Sequence, residues 1–274
     1  MGKICCALIA VFIVVNATAQ ELYVFSEPAS NMPAKAMGLK YAGKFLEETA
    51  SSDFQQRHML ELQFGHNKKW MTHIGTTFSD MYGSTFRWES VRLYSKYRFI
   101  SYDDIHKHFR AAAFGEVAYS VNDPMYDELS LDGDQSGLRG GLILTQLLHK
   151  LALSTTIYYI TSLQDRVKHA GIHDYNYNSF NYSLSAGYLL FPRKYNSYNQ
   201  TNINLYVELL GSQALDTKSS YHDIAPAIQF IFSSNTKLNL GGRFQIAGNM
   251  NRMAENSFLI SIERTFLNAL KKRS

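Results

Sequence analysis

The residues best placed for chemistry are charged. Arg92, Lys96, Arg98, Arg110, Arg139 and Arg243 share one phase of a two-residue alternation with Glu61, Glu116, Glu208 and Glu263. Charges of both signs on one face of β-structure can do one of two things. They line a constriction that selects solutes, or they pair with each other and fill an interior too narrow for free flow. Both readings stand at this level. Arg92, Lys96, Arg98 and Arg110 come from two consecutive segments, so they are expected to cluster in one half of that interior. Like charges so confined repel unless anions or Glu116 compensate them, and an open path would then favour anions.

Other chemistry finds less support. His106-Lys107-His108 follows Asp103-Asp104, and His169 precedes His173-Asp174. Imidazole with carboxylate can bind Zn, Cu or Ni, but no third ligand stands at a characteristic spacing, so these read as solvated polar connections. Asp132-Gly133-Asp134 resembles half a calcium loop without the glutamate at its twelfth position. A lipolytic barrel would need a Ser–His pair on its outer wall with an orienting partner, and no such pair is visible. No G-x-S-x-G, H-E-x-x-H or phosphate loop occurs. The sequence therefore points to no catalytic, cofactor or metal site, and to a protein that is not an enzyme. The Tyr- and Asn-rich stretches Asp174–Asn181 and Tyr195–Asn199 suit either a sugar-binding surface or an aromatic girdle, of which the girdle is preferred.

The elements that carry these residues are strands. Between Tyr221 and Phe266, Ile224, Ile228, Phe230 and Phe232 alternate with Asp223, Ala225, Ala227 and Gln229. Leu238, Leu240, Phe244 and Ile246 then alternate with Asn239, Gly241, Arg243 and Gln245, and Phe258, Ile260 and Ile262 with Ser261, Glu263 and Thr265. A period of two predicts strands with one apolar and one polar face. Nine earlier segments behave alike. The first begins at Ala36, and the others run over Gln56–Gly65, Trp70–Phe78, Phe86–Phe99, Phe109–Val121, Leu138–Leu147, Leu151–Thr161, Phe180–Phe191 and Asn202–Leu210. Pro226 lacks a ladder donor, so a bulge or widening is expected there. Ile143, Ile231 and Leu259 occupy polar-phase positions, so the inner face is not uniformly wet.

Short connections mostly follow even strands and long polar ones follow odd strands, with Ile100–His108 and Pro192–Thr201 as exceptions. That sorting predicts an all-β, antiparallel up-and-down transmembrane barrel of about twelve strands, with its apolar phase in lipid and short periplasmic turns. A soluble sandwich would not sort its loops by parity. Residues 1–20 carry Lys3, an apolar run and Ala17-Thr18-Ala19, the pattern of a secretory signal peptide. Residues 21–35 read as an extended periplasmic arm, 36–266 as the barrel and 267–274 as a periplasmic tail. The two cysteines, Cys5 and Cys6, fall in the signal, so the mature chain has no disulfide. The full sequence has an aromatic content of 14%, with 18 Tyr and 17 Phe, which suits interface girdles, and its net charge of +4, about +3 once Lys3 is removed, is too small to suggest nucleic acid.

The stretches EPASNMPAKAMGLK (Glu27–Lys40) and APAIQFIFSSNTKLNLGGRFQIAGNMNRMAENSFLISIERTF (Ala225–Phe266) resemble an outer-membrane β-barrel family of Bacteroidetes. The resemblance implies export and a barrel but carries no agreed activity. The final strand, ISIERTF, is similar to terminal strands read by the barrel-assembly machinery. The reading is a monomeric barrel in outer-membrane lipid, forming a passive or gated path for a small solute. The alternative is a closed barrel with a structural role, or one whose loops bind a ligand or partner.

Overall fold

The computed structural model describes residues 23–83, 85–104, 107–123, 125–164, 175–192 and 199–271. Its elements are β1 (Met37–Glu47), β2 (Phe54–Gly65), β3 (Trp70–Ser79), β4 (Arg87–Asp103), β5 (Lys107–Ser120) and β6 (Gly137–Leu148), then β7 (Leu151–Ser162), β8 (Asn178–Phe191), β9 (Asn202–Ala214), β10 (Ser220–Phe232), β11 (Thr236–Gly248) and β12 (Asn256–Phe266). Each strand pairs antiparallel with the next, and β12 returns to β1. The sheet closes on itself and leaves no unpaired edge. This is the barrel that the alternation predicts.

Several strands run further than their hydropathy suggests. β4 continues to Asp103 and β5 begins at Lys107, so the connection expected over Ile100–His108 shrinks to a tight turn, where Asp104 N donates to Lys107 O at 2.8 Å. The other connections at that end are 66–69, 149–150, 192–201 and 233–235, and all but 192–201 are short. We call this end, which also carries the described termini, the lower rim. The upper rim carries the longest connections, 121–136 and 163–177. His106, His169, His173, Asp174 and Tyr195–Tyr198 lie outside the described residues.

Burial is inverted relative to a protein that folds in water. Leu93, Leu184 and Ile262 are 48%, 51% and 48% exposed on the outside, whereas Gln63, Asn181 and Glu208 are buried inside. A continuous apolar exterior around a polar interior is stable only with lipid against it. Aromatic pairs flank the belt, Trp70 with Tyr97 at the lower rim and Trp88 with Tyr119 at the upper.

Irregularities in the ladder re-aim particular side chains. Thr77 pairs with Ser90 and Phe78 with Trp88, so Glu89 is an extra residue. The bulge turns both Glu89 and Ser90 inward, and both are fully buried. Pro226 keeps its register with Val207 of β9, while Ala225 and Pro226 have no paired residue on β11. The widening expected there is present, and the register shift falls nearby, between His222 and Asp223.

Leu240 sits at mid-wall on the lipid face, paired with Ile228 and Ile260, whereas Ile246 is close to the upper end of β11. Leu240→Arg should lower the unfolding free energy in lipid by about 2–4 kcal/mol and Ile246→Arg by about 1 kcal/mol or less. Urea titrations of vesicle-embedded protein check this. Equal tolerance at both positions would show that the lipid face is misassigned.

Candidate functional site

The interior is organised by cross-strand registers. One row runs from β11 through β12, β1, β2 and β3 to β4 as Lys237, Glu263, Lys40, Glu61, Gly75 and Arg92. Opposite charges directly across a strand pair attract each other, and this row alternates sign until Gly75. A Cβ there would lie 2.9 Å from Arg92 Nε. The missing side chain lets the guanidinium lie across β3 and reach Glu61 at 2.8 Å. Lys237 Nζ meets Glu263 at 2.9 Å.

The arm does not hang below the barrel. Its described part, from Tyr23 onward, runs round the inside of the lower lumen. Ala112, Ala152 and Ala227 are small inward residues that leave it room, and Tyr23, Ala29 and Met32 are buried against the wall. Two charged groups pin it. Glu208 accepts Val24 N at 3.0 Å, Phe25 N at 2.9 Å and Ser26 Oγ at 2.6 Å, with Ser185 Oγ at 3.0 Å completing its shell. Lys96 donates to Glu27 Oε2 at 3.0 Å, Pro28 O at 2.8 Å and Ser30 O at 2.9 Å. Each uses its whole hydrogen-bonding capacity on the arm or its immediate wall, which is what makes a buried charge tolerable. Burial alone would raise the Glu27 carboxyl, but Lys96 and His73 pull it down, to about 2.

The connection 121–136 closes over the lumen from above. Leu129 and Leu131 bury against Ala118 and Ile160. Three carboxylates of this connection each meet arginine. Glu128 meets Arg243 at 2.9 Å and Arg252 at 3.0 Å, Asp132 meets Arg92, and Asp134 meets Arg57 at 2.7 Å. Arg252 belongs to the neighbouring connection 249–255, and its guanidinium stacks on the Tyr221 ring at 3.9 Å. Burial disfavours the charged forms of Glu128 and Asp132, yet the arginines hold both below the usual carboxylate range.

Between the arm and this inturned connection lies a cavity of about 280 Å³. Its charged lining is Lys40, Lys44, Arg92, Arg139 and Arg243 against Glu27, Glu61, Glu116, Glu128 and Asp132. Of the charges singled out from the sequence, Glu61, Arg92, Glu116, Arg139 and Arg243 therefore border the chamber. Lys96 and Glu208 hold the arm below it. Arg110 donates to Ser30 Oγ at 2.8 Å and pairs with Asp103 at 3.0 Å, Arg98 donates to Lys68 O at 2.7 Å, and Glu263 binds Lys237. Of the expected cluster of four cations, Lys96 and Arg110 both bind Ser30 in the lower lumen, while Arg92 alone borders the chamber. Each has its own acceptor, Arg92 meeting Glu61, Asp132 and, at 3.8 Å, Glu116. No ring of uncompensated positive charge forms among them, and the ground for anion preference disappears. Asp132 and Asp134 are engaged by arginine, and among the described residues no three His, Cys, Asp or Glu side chains converge on a metal position. His108 Nδ1 meets Asp103 at 2.8 Å.

Sequence reasoning missed Glu27, Glu128 and Asp134 as partners, and Arg57 and Arg252 altogether. The three carboxylates lie outside the strands, where no alternation marks them, and Arg252 is likewise in a connection. Arg57 lies on the inner phase of β2 and was legible there.

No family model and no curated protein matches the sequence. Among solved structures, an outer-membrane channel from Pseudomonas putida F1 is similar over 89% of this chain and 100% of its own, with a TM-score of 0.59 and 13% identity. The KdgM porin is similar over 84% and 99%, at a TM-score of 0.47 and 8% identity. At 13% identity the first of these likenesses shows shared fold alone. Together with the lipid-facing belt, that fold defines the class: a twelve-stranded β-barrel of the outer membrane.

The two latch carboxylates set a pH response. A depressed carboxyl contributes stability that is complete above its ordinary value, 4.5 for Glu128 and 3.8 for Asp132, and that is lost as pH falls below it. A nitroxide at Met125→Cys should therefore stay immobile from pH 7 to about 5 and loosen progressively below about 4. Unchanged spectra in acid strong enough to protonate both depressed carboxyls would show that these pairs do not hold the connection.

Proposed function

We propose that this barrel is a gated path for small solutes across the outer membrane, with the lower rim in the periplasm. The observation that carries the reading is the chamber itself. A barrel whose role is purely structural would gain by filling its lumen, since packed interiors leave few voids larger than water. Here a cavity of about 280 Å³ remains at mid-lumen, lined by charged and aromatic side chains. The arm and the connection 121–136 act as the inner and outer closures. Both are held by hydrogen bonds and ion pairs rather than by strand pairing, so each can leave without opening the barrel wall. The chemistry supplied is passage, not catalysis. The resemblance of residues 225–266 supports placing the chain with the Bacteroidetes barrels. The terminal strand β12 supports insertion by the barrel-assembly machinery.

Glu208→Ala removes the acceptor for Val24 N, Phe25 N and Ser26 Oγ. Hydrogen bonds to a charged group contribute about 1.5–3 kcal/mol each, so the open-to-closed ratio should rise by at least about tenfold. Planar-bilayer recordings should show rare openings in the parent, frequent ones in Glu208→Ala and still more frequent ones when residues 23–33 are deleted, with the connection 121–136 remaining as the outer closure. Heat-modifiable migration confirms that each variant is folded. If no variant conducts more than the parent, the barrel is closed and its role is structural or lies in its outer loops.

A further inference from the structure

Among the described residues the two rims carry opposite charge. The exposed cations of the lower rim are Lys35, Lys68, Lys69, Lys107, Arg264 and Lys271, against the exposed carboxylates Asp103 and Asp104. Asp103 is already held by Arg110 and His108. At the upper rim the balance reverses. Arg87 and Lys218 are exposed there, against Glu47, Asp53, Asp123, Asp216 and Glu255. Such a field acts on any charged surface beside the rim, over roughly 10 Å at about 0.1 M salt.

The lower cations sit where lipid is the neighbour. Arg264 lies on the outer wall, because its cross-strand partners Leu39 and Thr236 share the lipid-facing phase. Its guanidinium carbon stands 5.7 Å from the centre of the Phe266 ring, two residues nearer the rim. The side chain thus reaches down the wall, its stem on apolar surface and its charge toward the interface. Lipid covers this face, so a soluble polyanion cannot approach it from the side. Below it, Leu267 and Leu270 are 63% and 42% exposed and Lys271 follows them. Leu270 N donates to Lys35 O at 3.0 Å, which brings the tail against the foot of β1. Exposed apolar side chains beside cations suit the boundary between acyl chains and headgroups. Two strands beyond β1, Lys68 and Lys69 run directly into Trp70, which is 45% exposed on the wall and donates Nε1–H to Ser95 Oγ at 2.9 Å.

We propose that the lower rim is a binding collar for acidic phospholipids, with Arg264 as its deepest contact to the headgroup phosphate. A zwitterionic headgroup also offers a phosphate, but it brings a cation of its own that the collar repels. An acidic headgroup leaves the phosphate charge unopposed. Each Lys or Arg beside an acidic leaflet favours association by roughly fivefold. The inference rests on the lipid-facing wall and not on the solute-path reading, so either can fail alone.

The chain has two tryptophans, Trp70 at the lower rim and Trp88 at the upper, so one substitution isolates either. The full barrel carrying Trp88→Phe is placed in phosphatidylcholine vesicles with a minor share of brominated phosphatidylglycerol or brominated phosphatidylcholine. Bromine quenches tryptophan on contact. At low salt the phosphatidylglycerol should associate at Trp70 at least about fivefold more strongly than phosphatidylcholine. The preference should fall toward unity near about 1 M salt, where the screening length is about 3 Å. Trp70→Phe, which reports from Trp88, should show no preference. Lys68→Gln with Lys69→Gln should remove most of the preference at Trp70. In a chain lacking both native tryptophans, Phe266→Trp should show the same preference, and Arg264→Gln with Lys271→Gln should abolish it. Heat-modifiable migration confirms that each variant is folded. Inorganic phosphate at constant ionic strength should change nothing; loss of the preference would assign the site to the free anion and overturn the collar. Equal quenching by the two lipids, an equal preference at Trp88, or a preference undiminished in the lysine and arginine variants would also overturn it. Binding of soluble poly-glutamate without any lipid preference would assign the rim to an acidic protein instead.

Discussion

An ammonium group with no exposure to solvent must find acceptors for its protons, and Lys96 finds all three on one segment. Glu27, Pro28 and Ser30 converge on Nζ from the arm, while the strand that carries Lys96 belongs to the wall. Displacing the arm without water to take its place would leave a buried charge unmet, a defect of about 3–5 kcal/mol. Glu208 imposes the complementary demand from the other side of the lumen, an acceptor with no basic partner that is satisfied by backbone N–H groups of the same arm. The wall is thus built to hold a segment that is not part of it. The chamber lies directly above the arm, which supplies part of its lining from Val24 to Glu27.

The upper half repeats the Lys96–Glu27 scheme with arginine in place of lysine. There the wall offers arginines and the inturned connection brings carboxylates. Arg57 is shared between Glu89, delivered by a bulge, and Asp134, delivered by the loop. Arg243 is shared between Asp223 of the wall and Glu128 of the loop. A cation shared in this way keeps a partner on the wall when the loop leaves. That limits the penalty of opening and separates a latch from a permanent plug. Among the described residues Lys96 finds all its acceptors on the arm and none on the wall, so the inner closure is the stiffer of the two.

Much of this was legible in the sequence. Alternation over about ten residues defines every strand and its lipid face, because a period of two has only one reading when both phases are long and chemically distinct. Arg92, Glu116, Arg139 and Arg243 fell on the inner phase and border the chamber. The arm and the loop latch were not legible. Tyr23 to Lys35 has no periodicity, and nothing local says that its amides turn inward to a carboxylate far along the chain. Asp132-Gly133-Asp134 looked like a fragment of a metal loop because its true partners, Arg92 and Arg57, are distant in sequence. Of the four cations read as a cluster, Lys96 and Arg110 do meet at Ser30 of the arm, while Arg92 stands four residues further up β4 and borders the chamber instead. Phase predicts which way a side chain points, not which neighbour it meets.

The central claim is that the arm closes the lower lumen and must move for passage. Ser26 Oγ and Ser185 Oγ lie 2.9 Å apart, one on the arm and one on the wall. The chain's only cysteines, Cys5 and Cys6, lie in the expected signal, so Ser26→Cys with Ser185→Cys gives a single pair to bridge. In planar bilayers the oxidised double variant should stay closed and the reduced one should open, reversibly within one recording. Equal conductance in the oxidised and reduced states, with the bridge confirmed by mass, would contradict the account.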